Sequence, residues 1–261
     1  MVVVDRGLPA WLARATAQLV PAAIAAFTAR TGLAPRAPPL VLVSLRPRGG
    51  GGYAVRGRTL PDLVQLEASG RAWRTRSAAA ARLWHELVVH EVFHLWNGQI
   101  ARRADRRDEW LSEGASSFAA GTALRDAGLL DGRRWGRRVV AAGNRCARAL
   151  VGPLYAEAAA PAYYDCGELV QVALDHLLAA AGGLWPVYAR LFADAQARPT
   201  GAYGTADLMA LSAAAGADAA ALARIQAVLD VGLGADPQRT VRALLADAGI
   251  ATTVVPARRG R

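Results

Sequence analysis

"HEVFHLWNGQ", residues 90–99, holds two of the four histidines in this 261-residue chain, four positions apart, with a glutamate directly after the first. On an α-helix, positions i and i+4 lie one above the other on the same face. His90 and His94 can therefore aim two imidazoles at one metal ion. Glu91 follows His90 by about 100° around the helix, beside such an ion, where a carboxylate takes the proton of an activated water rather than coordinating. Leu87, Val88, Phe93, Leu95 and Trp96 supply the apolar surface needed to pack this helix firmly. The spacing predicts one helix from Ser77, its N-cap, to about Gly98. The neighbouring pair His85-Glu86 is followed by a histidine only five positions after His85, the wrong spacing, so His85 is assigned to packing or to the surface.

A catalytic zinc needs a third protein ligand and an open fourth position for water. In "DEWLSEGASSF" (108–118), Glu113 lies 113 − 94 = 19 positions after His94. That leaves room for the metal helix to end, for a polar arginine-rich connection, and for a second helix to begin near Ser112. Asp105, Asp108 and Glu109 are alternatives within reach, but only Glu113 opens an apolar-periodic helix behind a capping serine.

Working outward, residues 9–32 have helical periodicity with a bend expected near Pro21, ending at Gly32. "PPLVLVSLRP" (38–47) reads as a buried strand, "GGGGYAV" (49–55) as a turn into a weaker strand, and 62–69 as a third strand by its period of two. After Ser77 the pattern is helical throughout, with helices expected at about 113–127, 132–149, 166–181, 184–196, 205–215, 219–230 and 237–247. A small sheet followed by an all-helical half predicts the α+β class.

Taken together, these residues resemble the gluzincin metallopeptidases, specifically the M1 aminopeptidase group. "HEVFHLWNG" is similar to that group's HExxHxWxG, including Trp96 and Gly98, and "DEWLSEG" is similar to its DLWLNEG at Asp108, Trp110, Leu111, Glu113 and Gly114, eighteen residues separating His94 from Glu113. The likeness covers roughly residues 38–180. It implies a zincin, thermolysin-like catalytic domain over residues 1–181, with 182–261 as helices packed on it. It also implies one Zn2+ held by His90, His94 and Glu113, and Glu91 as general base in the hydrolysis of peptide bonds. The group's tyrosine, which donates to the developing oxyanion, corresponds to Tyr164 in "YYDCG", with Tyr163 as the alternative; Cys166 stands where the pattern has lysine. Asp108 is expected to accept from the far nitrogen of a histidine ligand. The edge of strand 62–69 is expected to pair with substrate backbone. The amine-binding GxMEN segment is missing: residues 55–70 read "VRGRTLPDLVQLEASG", where Glu67 is the only nearby carboxylate on that strand and the candidate for holding substrate. Aminopeptidase specificity is therefore not implied. A non-catalytic zinc-binding module and a zinc hydrolase of a non-peptide bond are the other readings of the same residues.

Composition narrows the partners. A 53% hydrophobic fraction with 20% charged residues belongs to a globular chain. The net charge of +10 comes entirely from arginine, since lysine is absent; the arginines are dispersed and accompany no aromatic-interleaved or zinc-knuckle pattern, so no nucleic-acid partner is expected. Residues 10–27 are interrupted by Arg14, Gln18 and Pro21, so neither a membrane span nor a signal peptide is expected there. The expected setting is cytoplasmic, or that of a chain whose leader has been removed. Cys146 and Cys166 could pair or stay reduced.

Overall fold

The computed structural model describes residues 1–46, 52–155 and 160–250. Four strands, β1 (Val2–Val4), β2 (Leu40–Arg46), β3 (Ala54–Leu60) and β4 (Leu63–Ser69), form a sheet in the order β1-β2-β4-β3, parallel except for antiparallel β3. The helix α1 (Ala10–Thr31) makes the crossover from β1 to β2. Val41, Val43, Val64, Leu66 and Ala68 are buried on one face of the sheet, which is covered by α2 (Ala78–His94). The opposite face carries Ser44, Gln65 and Glu67. The glycine-rich turn expected at 49–52 falls largely outside the described residues.

The strand order corrects one expectation. The strand over 62–69 exists as β4, but it is interior, paired with β2 on one side and β3 on the other; the edge nearest the metal helix is β3. β3 folds back over β4 at Pro61-Asp62, where Asp62 takes the left-handed conformation (φ 56) that aspartate tolerates. Its composition fits an edge: Arg56, Gly57 and Arg58 interrupt it, and charged side chains are how open strand edges resist unwanted pairing.

α1 is long and apolar enough, by length and composition, to cross a membrane. In this fold Leu12, Thr16, Val20, Ala23, Phe27 and Thr31 form a buried stripe at helical spacing. Trp84 donates to Thr16 Oγ1 and Trp96 to Thr31 Oγ1, both at 3.0 Å, tying α1 to the metal helix. Phe27 packs edge-on to Phe93 and Trp96, with centroids 5.0 and 5.5 Å away. Each such aromatic burial contributes about 1.5–3 kcal/mol.

The rest of the chain is helical: α3 (Glu109–Asp126), α4 (Gly132–Ala149), α5 (Ala160–Leu177), α6 (Trp185–Ala197), α7 (Thr205–Ala214), α8 (Ala219–Asp230) and α9 (Pro237–Asp247). Three of them start where expected because Asp131, Asp218 and Asp236 accept from the third backbone N–H beyond, the usual N-cap bond. A short parallel pair, β5 (Arg102–Arg103) with β6 (Ala202–Tyr203), joins the segment after α2 to the late helices. α6 packs on α1, and α9 packs on α4 and α5.

Cys146 of α4 and Cys166 of α5 form a disulfide with Cα atoms 4.9 Å apart. It closes a segment of 20 residues, for which the chain-entropy relation predicts about 3 kcal/mol of stabilisation. Replacing both cysteines by serine is expected to lower the urea-unfolding free energy by about that amount. An unchanged midpoint, with free thiols titrating in the parent protein, would show that the bond does not form in solution.

Candidate metal centre

The centre is built where α2 ends. Ser77 accepts from Ala80 N–H at 3.1 Å and starts the helix where expected. After His94 the backbone widens into a π-helical segment, Leu95–Ile100. Such segments recur at functional sites because they redirect side chains that a regular helix would carry past. Here the redirected residue is Asn97.

α3 supplies the third side chain. It begins at Glu109, earlier than expected, so Ser112 is not a cap but a buried residue of the second turn. Its carbonyl accepts from Asn97 Nδ2 at 2.8 Å and from Ser116 Oγ at 2.9 Å. α3 and α5 cross at Gly114 and Gly167, where a Cβ on either glycine would collide with the other helix. This close approach sets Glu113 and Tyr164, each next to or one turn from a crossing glycine, at the same site.

Three ligand-type atoms converge. His90 Nε2 lies 3.0 Å from Glu113 Oε2, His94 Nε2 lies 3.5 Å from the same oxygen, and the two imidazole nitrogens are 3.3 Å apart. Ligands at about 2.0–2.1 Å around a tetrahedral zinc stand roughly 3.3 Å from one another, so the spacing and the donor set both fit that ion. Glu91 also offers an oxygen within 4.8 Å of both imidazoles. Its carboxylate is held elsewhere, however: Thr59 Oγ1 of β3 lies 3.0 Å from Glu91 Oε2 and 2.9 Å from the Glu91 carbonyl. The Glu91 stem packs on Gly57, where any Cβ would strike it. Glu91 is thus 6% exposed and fixed beside the cluster rather than inside it.

The surroundings favour two neutral imidazoles and a charged Glu113. Asn97 Oδ1 lies 2.9 Å from His94 Nδ1, which as donor leaves Nε2 free for a metal. Ser116 Oγ lies 3.3 Å from the same nitrogen, and Ser117 Oγ 3.4 Å from His90 Nδ1. Burial works against the Glu113 charge, but hydrogen bonds from His90 and His94 hold its carboxyl well below the usual range. Burial likewise opposes a charge on His94, yet the hydrogen bond and charge of Glu113 raise it overall. Tyr164 stacks on His90 with centroids 5.8 Å apart. Burial, then the Glu113 charge, pushes its phenol upward, so it stays protonated and able to donate. Tyr164 is 46% exposed whereas Tyr163 is 7% exposed in the core, which places Tyr164 at the cluster.

Two expected residues lie elsewhere. Asp108 does not reach a histidine: its Oδ1 accepts from Thr205 Oγ1 at 2.6 Å and Thr205 N at 3.1 Å, tying α3 to the start of α7. The π-helical turn gives the histidine position to Asn97 instead. Glu67 points to the opposite face of the sheet, paired with Arg46 at 2.7 Å, because its odd position on β4 alternates away from buried Val64, Leu66 and Ala68. Asn97 was detectable from its i+3 spacing to His94. Thr59 carried no local signal.

Neither a protein-family model nor a curated protein sequence matches this chain. Its fold is similar to solved zinc-peptidase structures. An aminopeptidase N family protein from Idiomarina loihiensis matches with a TM-score of 0.62 and 17% identity, over 77% of this chain and 40% of that one. An M1 zinc metallopeptidase from Deinococcus radiodurans matches with a TM-score of 0.56 and 20% identity, over 91% of this chain and 49% of that one. Aminopeptidase A of Legionella pneumophila gives 0.58 and 16%, over 88% and 26%. The fold is M1-like. The chain spans less than half the length of each of these proteins.

Proposed function

We propose that this chain is a zinc-dependent peptidase, with His90, His94 and Glu113 holding the ion, Glu91 as general base and Tyr164 as hydrogen-bond donor to the oxyanion. The reading is carried by the convergence of His90 Nε2, His94 Nε2 and Glu113 Oε2 within 3.0–3.5 Å, next to a carboxylate kept out of that set. The M1-like fold supports it. A bound zinc would supply a Lewis acid for the carbonyl and a water whose pKa falls from about 16 toward 7.

The chain's own groups do the remainder. Glu91 takes a proton from the attacking water and passes it to the leaving amine, base and then acid. The Tyr164 hydroxyl donates to the oxygen that gains charge, without ionising itself. The hairpin turn closes β3 at Leu60 and Leu63, so the ladder to β4 uses the backbone groups of alternate residues from Leu60. Those of Val55, Gly57 and Thr59 face the open edge, where an extended peptide can add as a further strand beside Glu91.

The test is incubation of the zinc-loaded protein with a mixed peptide library, with and without chelator, products being read by mass spectrometry. Chelator-sensitive cleavage is expected; a zinc-bound protein that cuts nothing would leave the non-catalytic reading. Thr59 then acts as a positioning residue. Thr59→Val is expected to lower kcat about 10-fold with KM little changed, since a hydrogen bond to a charged group is lost. Thr59→Ser should restore most of the rate. Equal loss in both variants would assign Thr59 to packing alone.

A further inference from the structure

Two cavities flank the metal cluster. One, of about 700 Å³, is lined by Arg58, Arg102, Glu109 and Glu113 among others; the second, of about 370 Å³, by Arg56, Glu86, His90 and Arg138. Gly57, Glu91 and Tyr164 line both, so the two make one groove with the cluster at its middle. Outside the cluster, the groove's carboxylates among the described residues are Glu86 and Glu109. Both are already neutralised: Glu86 by Arg138 at 2.9 Å, and Glu109 by Arg103. Arg138 is further held by Glu168 at 2.6 Å. Arg56, Arg58 and Arg102 have no carboxylate partner among the described residues; Arg102 donates only to the Thr200 carbonyl at 3.0 Å. The charges left unmatched along the groove are therefore all positive.

We propose that this groove selects peptides with acidic side chains flanking the cleaved bond, and that Arg56 and Arg58 are the residues that select them. The inference rests on the peptidase reading and adds the substrate class. Arg56 and Arg58 are exposed, two apart on one face of the edge strand, with Gly57 and Glu91 between them. A peptide laid along β3 brings its alternate side chains to cross-strand distance of these two guanidiniums, about 4.5–5.5 Å between Cβ atoms. Asp or Glu at two positions two residues apart would meet them, whereas a free α-amine finds no unpaired carboxylate along the described groove.

The experiment compares matched peptides that differ only by Asp/Glu against Asn/Gln. At low salt the parent protein should favour the acidic peptide about 5-fold or more in kcat/KM, the sum of two partly exposed ion pairs. The ratio should fall to about 1 in the Arg56→Gln, Arg58→Gln double variant and with rising salt. Arg58→Glu, which faces Gln65 across the ladder, should invert the preference toward lysine-bearing peptides, an effect that misfolding cannot imitate. A ratio indifferent to these changes overturns the proposal. Peptide affinities of Glu91→Gln, measured by fluorescence anisotropy with the same arginine changes, separate the two readings. Acidic preference in binding without cleavage by the parent would sink the peptidase reading and leave the groove assignment standing. Equal affinities would sink the groove assignment.

Discussion

Glu91→Gln is expected to keep zinc at its parental stoichiometry and lose hydrolysis by about 10³-fold, within the range set by removing a general base. The reason is in the contacts. Gln is isosteric, so it can still lie against Gly57 and accept from Thr59, and neither His90 nor His94 depends on Glu91 for its position. What is removed is the ability to hold the water's proton between attack and departure of the amine. Metal analysis alongside rate measurement decides the matter. A variant with full activity would remove Glu91 from the chemistry, and one that also loses zinc would make it a ligand.

Glu113→Ala should act the other way, on the metal first. Removing a residue that only orients a ligand typically costs 10–100-fold in affinity; loss of Glu113 is expected to exceed ~100-fold, beyond that range. Activity should fall in parallel with occupancy. Stoichiometric, tightly held zinc after this change would take Glu113 out of the ligand set. A pH titration supplies a second readout. Metal ligands must be deprotonated, and in the metal-free site Glu113 overcomes the effect of burial and raises His94 above an ordinary histidine. The sign follows: as pH falls through the histidine range the proton competes for His94 and zinc is released, and in Glu113→Ala that raised affinity for the proton is lost as well.

The parts of the fold that could be read from the chain were those governed by local chemistry. Ser77, Asp131, Asp218 and Asp236 each offer an oxygen to their own helix's first turn, so four helix starts were legible from short stretches. The histidine pair was legible because helical periodicity alone brings i and i+4 together. The start of α3 was not: Ser112 looks like a cap, but Arg106–Asp108 form a short turn that lets the helix begin at Glu109.

The sequence by itself determined that two imidazoles share a helix face, that a glutamate stands beside them, and that another lies at the right offset to complete a ligand set. Only the tertiary structure decided which strand is the edge, since order within a sheet depends on pairings between segments and not on the period within one. The same holds for Asp108 and Asn97. Both can accept a hydrogen bond, but the π-helical turn after His94 brings Asn97 to the imidazole, while the arrival of α7 from nearly a hundred residues away claims Asp108 for Thr205. Thr59 and Glu91, on strand and helix, meet because Gly57 lets the two backbones close to contact. Long-range approach of this kind leaves no mark in a local pattern, because the residues that permit it and the residues that use it lie in different segments.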